Sequence, residues 1–540
     1  MTVIRRAGLV ACAAILAAAC VPARRAGVAS SPPPAGWAGR LEAADALCAT
    51  GRYTALVEAR RIYAEALARP DRRADTAERY VRTSIAIGLR EKSLGILRPD
   101  PAADPGLPAA AKPALDGLAT WLELLGGLPC RIKGTPGLDR IGGRSLDGQL
   151  DWIRGRVPDI DLELGRAAGG DDLAAALRLA LRREFGFKFA DKLDPAAVRA
   201  LHPGSRLLAF EAAAGEPVRV ADLEALLAAD PGFAEIHYFL GDDDLNAGRL
   251  LSAETHYLAA LEKIPDSLSV LISLAKTAFQ MEELEACLGW NDRALALLPT
   301  YRDALLGRSL ALGYIGRSEE ALETLGRLLE LGTYSMGEGQ YWTAWNLHRL
   351  GRFEEARRAI EAARVFLVGV AGVETLSGLI AYAQGRFNES GKDFRRALDL
   401  DPAESDAAYH LGRLCADRGD WLDSGVYFAG AAMTLEGKER GLAAGIAEIG
   451  ASGMAPERKA RLTARKEAQL AAVRATKATC QYNGAAGYHN AGSLDRALDL
   501  ARQSAAHPAF AERAAALIRL IRDGQARSAP GGSRIPHKGV

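Results

Sequence analysis

The sequence predicts an all-α fold: an α-solenoid of antiparallel helix pairs with a helical N-terminal region. Two observations carry this. Glycines recur at Gly248, Gly316, Gly351, Gly385, Gly419 and Gly492, in steps of 68, 35, 34, 34 and 73 residues. Small residues stand in phase with them. Seven residues before each glycine lie Gly241, Ser309, Ala344, Gly378, Gly412 and Ala485. Five after lie Ala253, Ala321, Ala356, Ser390, Ser424 and Ala497. The slot skipped at Glu282 obeys the same rule with Ala275 and Cys287. Small residues in register let two helices approach closely. Pro231, Pro265, Pro299 and Pro402 follow in phase and end helices by removing a donor and clashing with the preceding turn.

Bulk composition agrees. The chain has 540 residues, 49% hydrophobic, 25% charged and only 6% aromatic, which suits helices better than sheets. Its 68 basic and 67 acidic side chains are interspersed, so no basic stripe points to nucleic acid.

The repeat resembles the tetratricopeptide repeat, a 34-residue helix–turn–helix. The resemblance is carried by Leu240-Gly241 through Pro265, by Gly378, Gly385, Phe394, Ala397 and Pro402, and by Leu411-Gly412 through Ala431. It covers residues 231–436 and 480–508, about half the chain. The unit at 268–299 departs from it, with Glu282 and Asn291 where Gly and an aromatic are usual. The units at 302–333 and 337–368 lack the closing Pro.

Residues 1–19 read as a signal peptide: Arg5-Arg6, a short apolar stretch at 7–19, then Cys20. Leu16-Ala17-Ala18-Ala19-Cys20 resembles a bacterial lipoprotein signal, which implies lipidation of Cys20. Ordinary cleavage after Ala19 is the other reading. Residues 20–38, with Ser30-Ser31-Pro32-Pro33-Pro34, form a flexible tether. Residues 39–130 are an N-terminal helical region, whose Gly51-Arg52-Tyr53 break looks like a diverged unit. Residues 131–200 are an irregular linker and helix, with 129–170 the least regular part. The array occupies 201–436. Residues 437–525 hold further helices and one more unit, with a charged helix at 454–475 interrupting the spacing, and 526–540 are a disordered tail. Cys48 and Cys130 are candidates for a disulfide.

No catalytic constellation appears. The eight histidines show neither HExxH nor zinc spacing with Cys, and no Walker A, GxSxG or dinucleotide fingerprint occurs. The expectation is therefore no cofactor, no metal and no enzyme. Asp242-Asp243-Asp244 reads as a solvated face. Gly425 and Gly430, inside a helix, stay unexplained. The informative column is aromatic. Tyr238, Tyr341 and Tyr409 stand three before the small residue, Trp345 one after it, and His348 and Tyr382 four after it. These offsets share one side of the first helix. The resemblance implies that this side lines a concave groove and takes a partner; the alternative is that the rings bridge successive repeats as core. Arg413 stands alone at one place of the carboxylate clamp that chaperone-binding members carry.

The expected function is a non-enzymatic scaffold of the bacterial cell envelope, exported and lipid-anchored, holding a protein or peptide partner and no nucleic acid. Two alternatives are a ligand-binding accessory of an envelope transporter or secretion system, and an enzyme with its site in 131–220.

Overall fold

The computed structural model describes residues 36–69, 75–96, 118, 121, 124, 146–214, 218–332 and 336–528. The signal segment, Cys20, Cys130 and the tail beyond 528 lie outside the described residues. The fold is all-α, with no strand among the described residues, and the chain divides into two compact units, Met1–Ala304 and Leu305–Val540.

The first unit holds α1 (Trp37–Ala49), α2 (Tyr53–Leu67), α3 (Thr76–Leu94), α4 (Leu146–Ala167), α5 (Asp172–Phe185), α6 (Pro195–Ala200), α7 (Arg206–Ala213) and α8 (Val220–Ala229). The repeat pairs α9 (Ala234–Asn246) with α10 (Leu250–Lys263), and α11 (Leu268–Gln280) with α12 (Leu284–Leu297), follow. The second unit takes up most of α13 (Arg302–Ile315), then α14 (Ser318–Leu329), α15 (Met336–Arg349), α16 (Phe353–Phe366), α17 (Ala371–Ala383), α18 (Phe387–Leu400) and α19 (Ser405–Arg418). It closes with α20 (Trp421–Ala451), α21 (Pro456–Asn490), α22 (Leu494–Ala505) and α23 (Ala511–Ser528).

Each pair is built on one contact. The residue sixteen after each small position faces it across the two helices. A Cβ on Gly241 would meet the Tyr257 ring at 2.7 Å, one on Gly378 the Phe394 ring at 2.5 Å, and one on Gly412 the Phe428 ring at 3.0 Å. Where the small residue is larger than Gly, the opposing position carries no ring: Ala275 with Asn291, Ser309 with Leu325, Ala344 with Ile360, Ala485 with Ala501, every one buried. Asn291 is therefore no defect of the second repeat. It is buried and donates to the Cys287 carbonyl at 2.8 Å.

The turn inside each pair is equally regular. The loop glycines take left-handed backbone, with φ 76° at Gly248, 98° at Gly316 and 74° at Gly351. The following N–H closes back on the helix, as in Arg249 N to Asp244 O at 2.8 Å and Arg352 N to Leu347 O at 2.9 Å. Glu282, in the slot without glycine, has φ 62°, the one positive value at a non-glycine among the described residues. The fold imposes the turn there against a steric cost of about 1–2 kcal/mol. Gly51 is left-handed as well, at φ 68°, but there the next N–H, Arg52 N, donates to Thr50 Oγ1 at 3.3 Å, and the Thr50 hydroxyl donates to the Leu47 carbonyl at 2.7 Å.

Two expectations change. The stretch at 129–170 is helical from Leu146, because Trp152, Ile153, Val157, Ile160 and Leu164 form one buried face; Pro158 sits inside this helix. The charged segment at 454–475 does stretch the repeat spacing, but it is not a separate helix. It is the start of the 35-residue α21, which pairs with the 31-residue α20, so one hairpin is simply drawn out. Gly425 is explained by this pair: a Cβ on Gly487 would meet Gly425 N at 2.8 Å, so the two backbones touch. Nothing in the structure explains Gly430.

In the first unit α3 is almost wholly buried and joins the N-terminal helices to the array. Arg90 on α3 is ion-paired with Glu211 and lies 3.8 Å from Glu235, while Arg183 reaches Glu211 at 3.5 Å. The Arg90 guanidinium stacks on Phe210 at 3.5 Å. Tyr53 N donates to Glu235 at 2.7 Å, and Ser267 both caps α11 and donates to the last carbonyl of α3, Leu94 O, at 2.6 Å. Burial pushes the Glu235 carboxyl up, so its ionised form depends on these cations and donors. Asp242-Asp243-Asp244 is not a solvated face. Asp242 and Asp244 are buried, Asp242 accepting from Tyr257 Oη at 2.7 Å and Asp244 from Arg249 at 2.6 Å. Cys48 is a free thiol, 3.4 Å from Thr83 Oγ1.

The small-to-large contact gives two substitutions of opposite sign. Gly378→Ala drives a methyl into Phe394 and should cost about 1–3 kcal/mol. Gly378→Ala/Phe394→Ile, copying the Ala344–Ile360 pair, should recover most of it. Gly430→Ala, with nothing within 4 Å, should gain up to about 1 kcal/mol from helix propensity. Urea denaturation of the three variants reads all of these; equal effects at Gly378 and Gly430 would refute the contact.

Candidate partner-binding face

The side chains of the aromatic column come together best in the second unit. Tyr314 stands in the last turn of α13, and Tyr341, Trp342, Trp345 and His348 on α15. Ring centroids of Tyr314 and Trp345 are 5.3 Å apart, Tyr314 and Trp342 6.2 Å, Trp342 and Trp345 5.6 Å, and Tyr341 and Trp342 5.1 Å. Gly313 makes this possible: a Cβ there would strike the Trp345 ring at 2.9 Å. Arg349 donates to Gly313 O at 2.5 Å, and its guanidinium lies 4.6 Å above the Trp345 ring. One side chain thus adds a second donor to a helix-end carbonyl, which also accepts from Gly316 N at 3.0 Å, and lies over the indole. Tyr314 is the most open member, 49% exposed. Trp342 and Trp345 are half-buried.

Tyr314 and Trp342 do not stand in the recurring columns, so offset counting passes over them. The signal that could have found them is the density of rings within one helix, with Tyr341, Trp342 and Trp345 in a five-residue span.

The other candidates are placed as follows. Tyr341 is half-buried, packed against the core of Ala344, Ile360, Val373 and Leu376, its hydroxyl near Gly372. His348 packs on Phe353 at 5.7 Å and Tyr382 on Phe387 at 5.4 Å. That position braces the first residue of the second helix. Tyr382 also meets His410 at 5.1 Å, and Arg413, exposed, lies over it at 5.4 Å. Tyr409 is half-buried against Phe428 at 5.6 Å. Tyr238 is a correction. It is 1% exposed, packed on Phe239 and Tyr257. Glu235, one turn earlier on its helix, is covered by Tyr53 and Arg90. The N-terminal helices thus reach α9 at Glu235, and Tyr238 is core, closed over within its own repeat.

The first unit has an open cleft of about 530 Å³ among Cys48, Arg82, Asp171, Asp172, His202, Ser205 and Arg206. Its polar groups are paired with protein. Arg82 grips Asp171 at 2.6 and 2.7 Å, Ser205 donates to Asp172 at 2.6 Å, and His202 Nε2 lies 2.7 Å from Ala168 O. Arg206 reaches Asp230 at 3.0 Å. It is a polar junction of helix ends.

Burial lowers the pKa of His348 and, with help from Arg413, that of His410, so both are neutral at pH 7. A histidine with a depressed folded pKa contributes stability that is complete above its unfolded value of 6.5 and is lost as pH falls from there toward the folded value. The melting temperature should therefore drop between pH about 7 and about 5, and drop less in His348→Asn/His410→Asn. An identical pH slope in the variant would contradict this.

The tetratricopeptide repeat pattern matches residues 306–366 and 375–432. No curated protein matches the sequence. Among solved structures, a tetratricopeptide repeat protein from Parabacteroides merdae is 16% identical, covering 54% of this chain and 98% of its own, with a TM-score of 0.33. A thermophilic tetratricopeptide repeat protein of Thermus thermophilus is 18% identical over 34% of this chain and 99% of its own, TM-score 0.30. MamA from Desulfovibrio magneticus is 17% identical over 31% and 92%, TM-score 0.27. With helix pairs, turn and matched residues in agreement, the chain carries tetratricopeptide repeats.

Proposed function

We propose that the protein is a non-enzymatic scaffold that holds a protein or peptide partner on the aromatic face of its second unit. The observation that carries this is the exposed edge of the Tyr314–Trp342–Trp345 cluster. Tyr and Trp offer large, rigid contact area with a polar tip, at little entropy cost, and dominate binding hot spots. Solenoid repeats present such residues along a continuous surface. Arg413 adds an exposed cation beside the neutral His410, suited to a partner with a carboxylate near an apolar anchor.

Tyr314 and Trp342 make the sharper test because Tyr341 and Trp345 also serve the core. Peptides selected on the purified chain should lose at least about tenfold in affinity, roughly 1.4 kcal/mol, for Tyr314→Ala/Trp342→Ala. The melting temperature should stay nearly unchanged. Undiminished binding would move the site elsewhere; a large stability loss would make these rings core.

We further propose that the scaffold works in the cell envelope, exported and lipid-anchored through Cys20. Arg5-Arg6, the apolar stretch and the Pro/Ser-rich tether support this. Cys20→Ala should shift the protein from the membrane to the soluble fraction of cells. A wild-type protein that is already soluble would end the anchoring reading.

A further inference from the structure

The outer side of α20 carries a row of residues that the partner-binding reading does not use. Leu422, Val426, Gly430, Met433, Gly437 and Gly441 follow one another at steps of four, four, three, four and four. That spacing sets them on one stripe of the helix, about 28 Å long. The three side chains are open, with Leu422 50%, Val426 46% and Met433 75% exposed. The three glycines are bare: a Cβ on any of them would find nothing within 4 Å. Helix propensity argues against glycine at such positions, and no contact within the chain accounts for it. Asp423 and Arg440 stand beside the two ends of the row. Both are exposed, and neither is in an ion pair or a side-chain hydrogen bond.

We propose that this row is a contact between two copies of the chain, α20 against α20 about a two-fold axis. The inference stands apart from the aromatic face. Turned end for end about a point between Ala431 and Ala432, the row is complementary to itself. Leu422 then faces Gly441 of the second copy, Val426 faces Gly437, Met433 faces Gly430, and Asp423 faces Arg440. The two-fold axis repeats each pair in reverse. Every large side chain meets a glycine, and every charge meets its opposite. The same rule, small against large, pairs Gly241, Gly378 and Gly412 with rings inside the repeats. A parallel pairing would set Asp423 against Asp423 and Arg440 against Arg440, which charge repulsion opposes.

The length of α20 supports the same occupant. The second helix of the preceding pair, α18, has 14 residues, whereas α20 has 31. A helix of the shorter length would stop near Thr434 and would offer only Leu422, Asp423, Val426, Gly430 and Met433. Gly437, Arg440 and Gly441 complete the match, and they lie in the drawn-out part. That part is braced by α21. Glu439 accepts from Arg474 at 2.7 Å and pairs with Lys477, and the Lys466 stem lies 3.5 Å from the Cβ position of Gly445. A stripe fixed in advance loses little freedom on contact. One helix pair covers less than the roughly 1,600 Å² of a standard interface, so the expected dissociation constant is on the order of micromolar.

Sedimentation velocity of the full chain between about 1 and about 100 μM tests this, with Cys20→Ala in every sample so that no lipid drives association. The chain should pass from monomer to dimer over that range. Asp423→Arg and Arg440→Asp should each raise the dissociation constant at least about tenfold, because like charges then face each other at both ends. Mixed in equal amounts, these two variants should form a mixed dimer as strong as the original. The double reversal Asp423→Arg/Arg440→Asp should do so with itself. Such recovery separates a lost contact from a lost fold. Gly430→Leu should abolish association and leave the helical circular dichroism unchanged. A chain that stays monomeric at about 100 μM, a dimer indifferent to the single reversals, or a mixture that does not recover would each overturn the proposal.

Discussion

The array depends on one contact: a small residue on the first helix of each pair against a buried residue sixteen positions later. Interiors are packed as densely as organic crystals, so the volume on one side of an interface dictates the other. Gly241, Gly378 and Gly412 face Tyr257, Phe394 and Phe428, whereas Ser309 and Ala344 face Leu325 and Ile360. Ala485 with Ala501 is the exception, a pair small on both sides. The repeats thus vary in sequence while these positions stay buried. The left-handed turn recurs with them, and even Glu282 adopts it.

The first unit shows what happens when the face of an array is covered by its own chain. α3 brings Arg90, fully buried, against the two carboxylates Glu211 and Glu235. Such a cluster adds little net stability, because desolvation consumes most of the Coulomb gain. Removing one member is a different matter and typically costs 3–5 kcal/mol, since a buried charge is left without a partner. The cluster ties α2, α3, α7 and α9 together through one set of paired charges.

In the second unit the same helix positions keep part of their surface. Packing still claims one side of each ring, and Gly313, Arg349 and Gly372 are the residues that seat them. A ring held on one side and open on the other has little motional freedom to lose when a partner arrives. His348 and Tyr382, by contrast, are spent on bracing Phe353 and Phe387, and their face toward solvent is a by-product of that brace.

Much of the fold could be read from spacing alone. A 34-residue period, small residues in two columns and phased prolines depend only on distance along the chain, and helical geometry turns them directly into paired helices. The turn at Gly51 was legible for the same reason. Tertiary structure decided everything that depends on residues far apart in sequence. The helix at Leu146–Ala167 was obscured by local glycines and a proline, whose propensities yield to a buried apolar face. Whether a tyrosine in the right column is groove or core was set by what packs on it: Phe239 and Tyr257 close over Tyr238, whereas Tyr341 and Tyr409 keep part of their surface. Asp242 and Asp244 sank into the interior because Tyr257 and Arg249 stood ready to pair with them. The meeting of Gly425 and Gly487 required two helices to close on each other, and periodicity within one helix carries no information about that.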